Sequence, residues 1–94
     1  MEIKEILKQT KEIWQDDKKS LAEVIVVLGK VFGDVCRWER NYAKDKDSHT
    51  DGDLKKELGH FIVCTIKFSE DLGYDPEECI RLALESQKKI SKER

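Results

Sequence analysis

The apolar positions of this chain recur at helical spacing, most densely in LAEVIVVLGKVFGDVCRW, from Leu21 to Trp38. One row of this run, at offsets of three and four residues, forms a broad apolar stripe on an α-helix: Leu21, Val24, Ile25, Leu28, Val31, Phe32 and Val35. A second row lies on another face and consists mostly of small residues, which let another helix approach closely: Ala22, Val26, Gly29, Gly33 and Cys36. A helix that is apolar on two faces in so short a chain indicates the centre of a bundle or of a dimer.

The same spacing continues along the rest of the chain, which has only one proline and five glycines to interrupt it. It predicts an all-α fold with helices at about 3–15, 21–42, 54–71 and 76–91. We expect a single domain over 1–94, an antiparallel four-helix bundle with the second and third helices as its central hairpin. We also expect a homodimer, because a lone domain of this size buries only about two-thirds of its unfolded surface.

Local signals place most of the helix ends. Ser20 and Glu23 have capping-box spacing, so the second helix should begin at Leu21. Asp53, the last residue of the polar segment AKDKDSHTDGD, is a plausible N-cap for the third helix. Gly73 should end that helix in the left-handed conformation.

The fourth helix has the clearest start in the chain. Asp75 is expected to cap it, Pro76 takes the first position, where its missing amide costs nothing, and Glu78 is expected to complete a capping box.

The charge and hydropathy of the chain limit the kinds of partner that we expect. The chain is 40% charged with a net charge of −2, and acidic and basic residues are interspersed, so no basic face indicates a nucleic-acid partner. No apolar run approaches the roughly 18 residues that a membrane span needs. The charged N-terminus does not resemble a secretory signal. We therefore expect a cytoplasmic protein without a membrane partner.

The three cysteines are an odd number without CxxC spacing. We expect Cys36, Cys64 and Cys79 to be buried, reduced thiols that pack as small apolar residues; metal binding or nucleophilic chemistry is the alternative.

One stretch resembles a known family. KELGHFIVCTIKFSEDLGYDPEECIRLALE, from Lys56 to Glu85, is similar to the third and fourth helices of MazG-like nucleotide pyrophosphohydrolases, whose pattern is EELADVLxxLxxLAxxLGIDLEEALxxKxxxN. Leu28-Gly29 followed by a charged residue resembles the family's EEVGE segment. The likeness covers most of the chain from Leu21 to Lys89 and is most specific between Leu72 and Glu78.

The resemblance implies a metal-dependent hydrolysis in which carboxylates bind the metal. In the family, ExxE-like and ExxD pairs on facing helices hold Mg²⁺ through oxygen, and the metal activates water that releases pyrophosphate from a nucleoside triphosphate. With Gly29 aligned to the family glycine, the acidic positions of the second helix are Val26, Val27 and Lys30. Those of the third helix are Glu57 and His60. The formal charge of the site is therefore about 0 in this chain, compared with roughly −5 in the family.

The candidate site residues follow from this alignment. Glu57 and His60 are the remaining candidate metal ligands, although two ligands make only half a transition-metal site; the alternative is a partly buried His60 hydrogen-bonded to Glu57 or a backbone carbonyl. Lys30 either pairs with Glu57 in place of the ion or is a solvated lysine on the helix rim.

The remaining candidates lie in the fourth helix and among the aromatic residues. The family lysine falls on Ala83 and the family asparagine on Gln87, so Gln87 and Lys88 join Lys30 as candidate ligand-binding residues. Trp14, Trp38 and Tyr42 are expected in the core or an interface rather than stacked on a nucleobase. His49 is expected to be a solvated loop residue.

Three functions remain open from the sequence. The leading one is a MazG-like protein with a lost or remodelled magnesium site, which binds a nucleotide weakly or serves as a dimeric structural or regulatory module, with no catalytic residue and no cofactor. The second is an active pyrophosphohydrolase with Mg²⁺ and an atypical site, which places its metal through Glu57, His60 and a further acid such as Glu23 or Asp34. The third is a helical adaptor for other proteins.

Overall fold

The computed structural model describes residues 1–41 and 50–93 and is helical in four segments. Helix α1 spans Ile3–Trp14, α2 spans Leu21–Asn41, α3 spans Asp51–Asp71 and α4 spans Pro76–Lys92. The all-α fold with four helices is therefore confirmed. Tyr42, His49 and most of the polar loop lie outside the described residues. No helix within the described ranges is long and apolar enough to cross a membrane.

The start of α2 follows the predicted capping box. The Ser20 N–H donates to a Glu23 carboxylate oxygen at 3.1 Å, and the Glu23 N–H donates to the Ser20 hydroxyl at 3.3 Å. These two bonds satisfy amides that have no partner inside the helix, which fixes the first residue of α2 at Leu21.

The start of α3 differs from the prediction. Thr50, not Asp53, is the N-cap: its hydroxyl accepts from the Asp53 N–H at 3.2 Å, while the Asp53 carboxylate accepts from the Thr50 N–H at 3.2 Å. Asp53 is thus the third residue of the helix, and α3 begins three residues earlier than expected because this reciprocal pair draws Asp51 and Gly52 into the first turn.

The joint between α3 and α4 is tightly hydrogen-bonded. Gly73 takes the expected left-handed conformation with φ +88°, and its N–H donates to the Glu70 carbonyl at 2.9 Å. The Tyr74 N–H donates to the Ser69 carbonyl at 3.0 Å. Asp75 caps α4 by accepting from the Glu77 N–H at 3.1 Å. The expected second bond of that box, from Glu78, does not form; the Glu78 carboxylate lies 3.9 Å from Arg81 instead.

Helix α3 is the centre of the packing, since α1, α2 and α4 all pack against it. Helices α2 and α3 form an antiparallel hairpin: Lys19, before α2, contacts Asp71 at the end of α3, and Phe32 contacts Phe61 in the middle. The buried hydrophobic residues of the described chain are few: Val24, Ile66 and Phe68.

Much of the predicted core surface of α2 is uncovered in the protomer. Val24 is 5% exposed, but Leu21, Ile25 and Phe32 of the same stripe are 58–63% exposed. The small-residue row is open as well: Val26 is 72% exposed, and a Cβ added at Gly29 or Gly33 would meet no atom within 4 Å. The expectation that both rows of α2 are covered is thus wrong for the single chain.

Candidate functional site

The residues expected to form the site are divided between two helices: Lys30 lies on α2, and Glu57 and His60 lie one turn apart on α3. Lys30 and His60 are exposed, whereas Glu57 is half-buried. The ion pairs formed by the described residues do not include one between Lys30 and Glu57. Lys30 is therefore a solvated side chain in the protomer, and His60 is not the partly buried residue that we considered as the alternative to a ligand.

The donor set does not fit a divalent metal within one protomer. In the described part of the chain, no three His, Cys, Asp or Glu side chains come close enough to hold a metal ion. Mg²⁺ requires an octahedral shell with several oxygen ligands, and the positions that supply carboxylates in the family hold two valines and a lysine here. Helices α2 and α3 therefore pack against each other without carboxylates at the positions that the resemblance implies for a cation.

Gln87 and Lys88 lie on α4, where every residue after Pro76 that the structure describes is exposed. They are far along the helix from its joint with α3. Lys30, Gln87 and Lys88 therefore remain a prediction as ligand-binding residues.

The cysteines depart from the sequence expectation. Cys36 and Cys79 are exposed, and only Cys64 is half-buried. Burial raises the pKa of the Cys64 thiol, an effect that Lys67 partly opposes. None of the three is therefore a fully buried apolar residue in the protomer, because the faces of α2 and α4 that carry Cys36 and Cys79 are uncovered.

The most organised polar cluster is one that the sequence patterns did not single out. Lys67 of α3 is only 5% exposed; its Nζ donates to the Asp17 carbonyl and to the Asp71 carboxylate. The same Asp71 carboxylate accepts from the Lys19 N–H at 3.2 Å, and Lys67 Nζ lies 5.0 Å from the centroid of the Trp14 ring. We call Lys67, Asp71 and Trp14, with the backbone at Asp17 and Lys19, the lysine lock.

The lysine lock fastens three segments together. Trp14 closes α1 and packs edge-on against Phe68, with ring centroids 5.7 Å apart, so the lock joins α1 and the turn before α2 to the last turns of α3. Outside it, the Asp17 carboxylate lies 2.9 Å from Lys19 Nζ and raises the pKa of that ammonium group. The spacing of Lys67 and Asp71, four residues apart on one helix, is the signal that the sequence offered.

A polar cleft of about 310 Å³ opens beside the lock. Its walls come from α1, the turn after it and the end of α3, and they mix acidic with basic side chains: Lys11, Asp16, Asp17, Lys18, Glu70 and Asp71. The buried ammonium and carboxylate already bind each other and the backbone, so the arrangement serves to hold the helices rather than to present an unpaired charge to a ligand.

Large apolar side chains on one side of α2 are exposed. We define the α2 face as Leu21, Ile25, Val26 and Phe32, which are 58–72% exposed. A shallow groove of about 340 Å³ runs along its edge beside Ala22 and Val27. On α3, Leu58 and Ile62 are also exposed, at 47% and 59%. Exposed apolar surface such as the α2 face is typical of an interaction site.

The overall dimensions agree with that conclusion. The chain exposes 7614 Å², whereas a compact monomer of 11.0 kDa exposes about 5600 Å². Its radius of gyration is 15.7 Å, against about 12 Å for a compact domain of this length. The protomer is thus more open than a self-sufficient domain.

No protein-family model, curated protein or solved structure matches this chain.

Proposed function

We propose that this chain is a homodimeric helical module of MazG-like architecture whose metal site has been remodelled, and that it has a structural or regulatory role in the cytoplasm rather than a pyrophosphohydrolase activity. The observation that carries the proposal is the α2 face: four large apolar side chains of α2 are exposed, whereas the described residues bury only a small hydrophobic core. Any binding of a nucleotide by Lys30, Gln87 or Lys88 would be weak, because no metal bridges the phosphates.

The exposed area is sufficient for a stable dimer. Each protomer exposes about 2000 Å² more than a compact domain of its mass, so two protomers have about 4000 Å² to bury. Obligate homodimer interfaces bury about 2000–5000 Å² in total and are as apolar as a divided core. A second copy is the simplest partner with matching surfaces, because a two-fold interface joins one apolar face to itself.

The charge around the predicted metal positions supports the loss of activity. Lys30 places a cation where the family places a carboxylate, and Val26 and Val27 supply no oxygen ligand. A cation at this point repels Mg²⁺, and the half-buried Glu57 alone cannot offset that. The resemblance and the remodelled site together favour a protein that has kept an architecture and lost its metal chemistry.

The dimer is tested by sedimentation equilibrium of the wild type and two variants. Ile25→Glu places a charge in the middle of the α2 face and should dissociate the dimer, because the carboxylate would be buried without a partner. Lys30→Glu introduces the same residue on the exposed charged side of the same helix and should leave the dimer intact. A wild type that remains monomeric at about 100 μM would refute the proposed dimer.

The activity is tested with a panel of nucleoside triphosphates and Mg²⁺ or Mn²⁺. We expect no release of pyrophosphate. Sustained turnover that Glu57→Gln abolishes would instead establish an active pyrophosphohydrolase. In the absence of turnover, thermal shift with the same nucleotides distinguishes a nucleotide binder from a purely structural module, since a ligand that binds only the folded state raises the melting temperature.

A further inference from the structure

Helix α4 is an amphipathic helix, here called the arm, whose large apolar residues are about half exposed. Its charged residues share one side, where Arg81 Nη1 lies 2.8 Å from a Glu85 carboxylate oxygen. The other side carries large apolar residues that are 43–52% exposed: Ile80, Leu82, Leu84 and Ile90. A helix with so clear a division between its two sides normally buries the apolar one.

Helix α4 cannot fold back onto the α2 face of its own chain unless the hydrogen bonds of the α3–α4 joint break. Among the described helices, α4 packs to a significant extent only against α3. Its direction is fixed by the left-handed Gly73, by the Tyr74 N–H bond to the Ser69 carbonyl, and by the Asp75 cap. Pro76, buried at the first position of α4, makes the start of the helix rigid. The α3–α4 joint therefore holds the arm away from the α2 face of the same protomer.

We propose that α4 of each protomer packs its apolar side along the α2 face of the partner, so that the two copies exchange arms across a two-fold axis. The inference rests on the proposed dimer and names the segments that meet in it. It pairs two exposed apolar surfaces of the described residues, one supplied by α4 and one by α2.

The arm is long enough to cover the α2 face. The α2 face from Leu21 to Phe32 is about 17 Å long, and the 17 residues of α4 extend about 25 Å, so the arm spans the face fully. Gly29 lies within that face with open space where a side chain would be, which lets a helix approach closely. Exchange of a terminal element between identical chains is a common route to a dimer, and a short, rigid joint favours it over folding back.

The test is complementation between variants of the full chain. Leu84→Glu and Ile25→Lys should each raise the dimer dissociation constant at least about a hundredfold, because each buries an unpaired charge. When the two variants are mixed, the heterodimer has two contacts between an arm and an α2 face. In one contact both surfaces are wild type, and in the other the introduced glutamate of α4 meets the introduced lysine of α2. The mixture should therefore form a heterodimer with a dissociation constant within about tenfold of the wild-type value.

Ile62→Lys is the matched control, since Ile62 is an exposed apolar residue of α3 with a similar exposure. Leu84→Glu mixed with Ile62→Lys should not form the heterodimer. If Leu84→Glu forms a heterodimer with Ile62→Lys and not with Ile25→Lys, the α2 face is not the receiving surface. The same conclusion follows if Leu84→Glu forms a heterodimer with neither variant. A Leu84→Glu variant that dimerises like the wild type would overturn the arm exchange and leave the dimer standing, whereas a monomeric wild type removes the dimer itself.

A milder variant separates misfolding from loss of the interface. Leu84→Ala keeps a strong helix former in α4 and should weaken the dimer by at least about tenfold with unchanged helical circular dichroism. An unchanged dissociation constant for Leu84→Ala would contradict the proposal even if the charged variants failed to fold.

Discussion

At the scale of single residues, the lysine lock is the feature that holds the fold. A lysine that is 5% exposed is unusual, and here its ammonium group meets a carbonyl, a carboxylate and the face of an indole ring. A buried ion pair adds little net stability when compared with an apolar pair, but removal of one partner leaves the other charge without compensation.

Lys67→Met should therefore lower the free energy of unfolding by about 3 kcal/mol, because the Asp71 carboxylate stays buried without its cation. Urea unfolding followed by circular dichroism at one fixed protein concentration measures the change. Lys30→Met, the same substitution at an exposed lysine, should change the unfolding free energy by less than about 0.5 kcal/mol.

A double variant checks the cause of that loss. Lys67→Met with Asp71→Leu removes both charges and should recover part of the stability that the single variant loses. A double variant less stable than Lys67→Met alone would show that Asp71 contributes mainly through its bond from the Lys19 N–H.

The capping box of α2 makes the stability of the fold depend on pH through the Glu23 carboxyl. The Ser20 N–H, together with the Ser20 hydroxyl and the Lys19 ammonium group, holds the pKa of the Glu23 carboxyl below its ordinary value of 4.5. Because the folded pKa is lowered, the carboxylate stabilises the fold above the ordinary value, and this contribution is lost as the pH falls through the folded pKa.

Glu23→Gln should thus melt at a lower temperature than the wild type near pH 7, and the difference should shrink below pH 4.5. Thermal melts of both proteins across this range give the measurement. A difference in melting temperature that is the same at pH 7 and pH 3 would show that the carboxylate charge has no part in the cap.

At the scale of elements, local signals were sufficient for most helix ends because caps and left-handed glycines act over three or four residues. The start of α3 was missed for a local reason too. Thr50 and Asp53 form a box with aspartate in place of the usual glutamate, and the nearby Gly52 resembled a loop residue. The alternative N-caps are close together, and the hydrogen bonds decide between them.

The α3–α4 joint allows a matched test of backbone conformation. Gly73→Ala should destabilise the protein by about 1–2 kcal/mol, since φ +88° is strained for any residue with a Cβ even though that atom would meet no neighbour. Chemical unfolding measures the loss. Gly52→Ala is the control: Gly52 lies in the first turn of α3 with a right-handed backbone, and its Cβ would make an ordinary contact with the Thr50 hydroxyl at 3.5 Å. A destabilisation by Gly52→Ala equal to that by Gly73→Ala would exclude backbone strain as the cause.

At the scale of the whole molecule, exposed large apolar side chains outnumber buried ones among the described residues. Val24, Ile66 and Phe68 are the buried hydrophobic residues of that part of the chain, and the proposed dimer would link the stability of the fold to association. The melting temperature of an obligate dimer rises with protein concentration, because only the folded state associates.

We expect the wild-type melting temperature to rise by several degrees between about 1 μM and about 100 μM, measured by circular dichroism at both ends of the range. Ile25→Glu should melt lower and show no such dependence. A wild type with a constant melting temperature across the range would indicate that the open protomer is stable by itself.

By itself, the sequence determined the number of helices, most of their boundaries and the polar caps, since these depend on residues a few positions apart. It also determined that the metal positions of the resembling family lack their carboxylates. Only the tertiary structure decided which apolar rows are covered, because periodicity shows that a face is apolar but not what lies against it. The burial of Lys67 and the exposure of Ile25 both depend on where α1 and α4 lie relative to α3, and that is set by contacts between residues far apart in the chain.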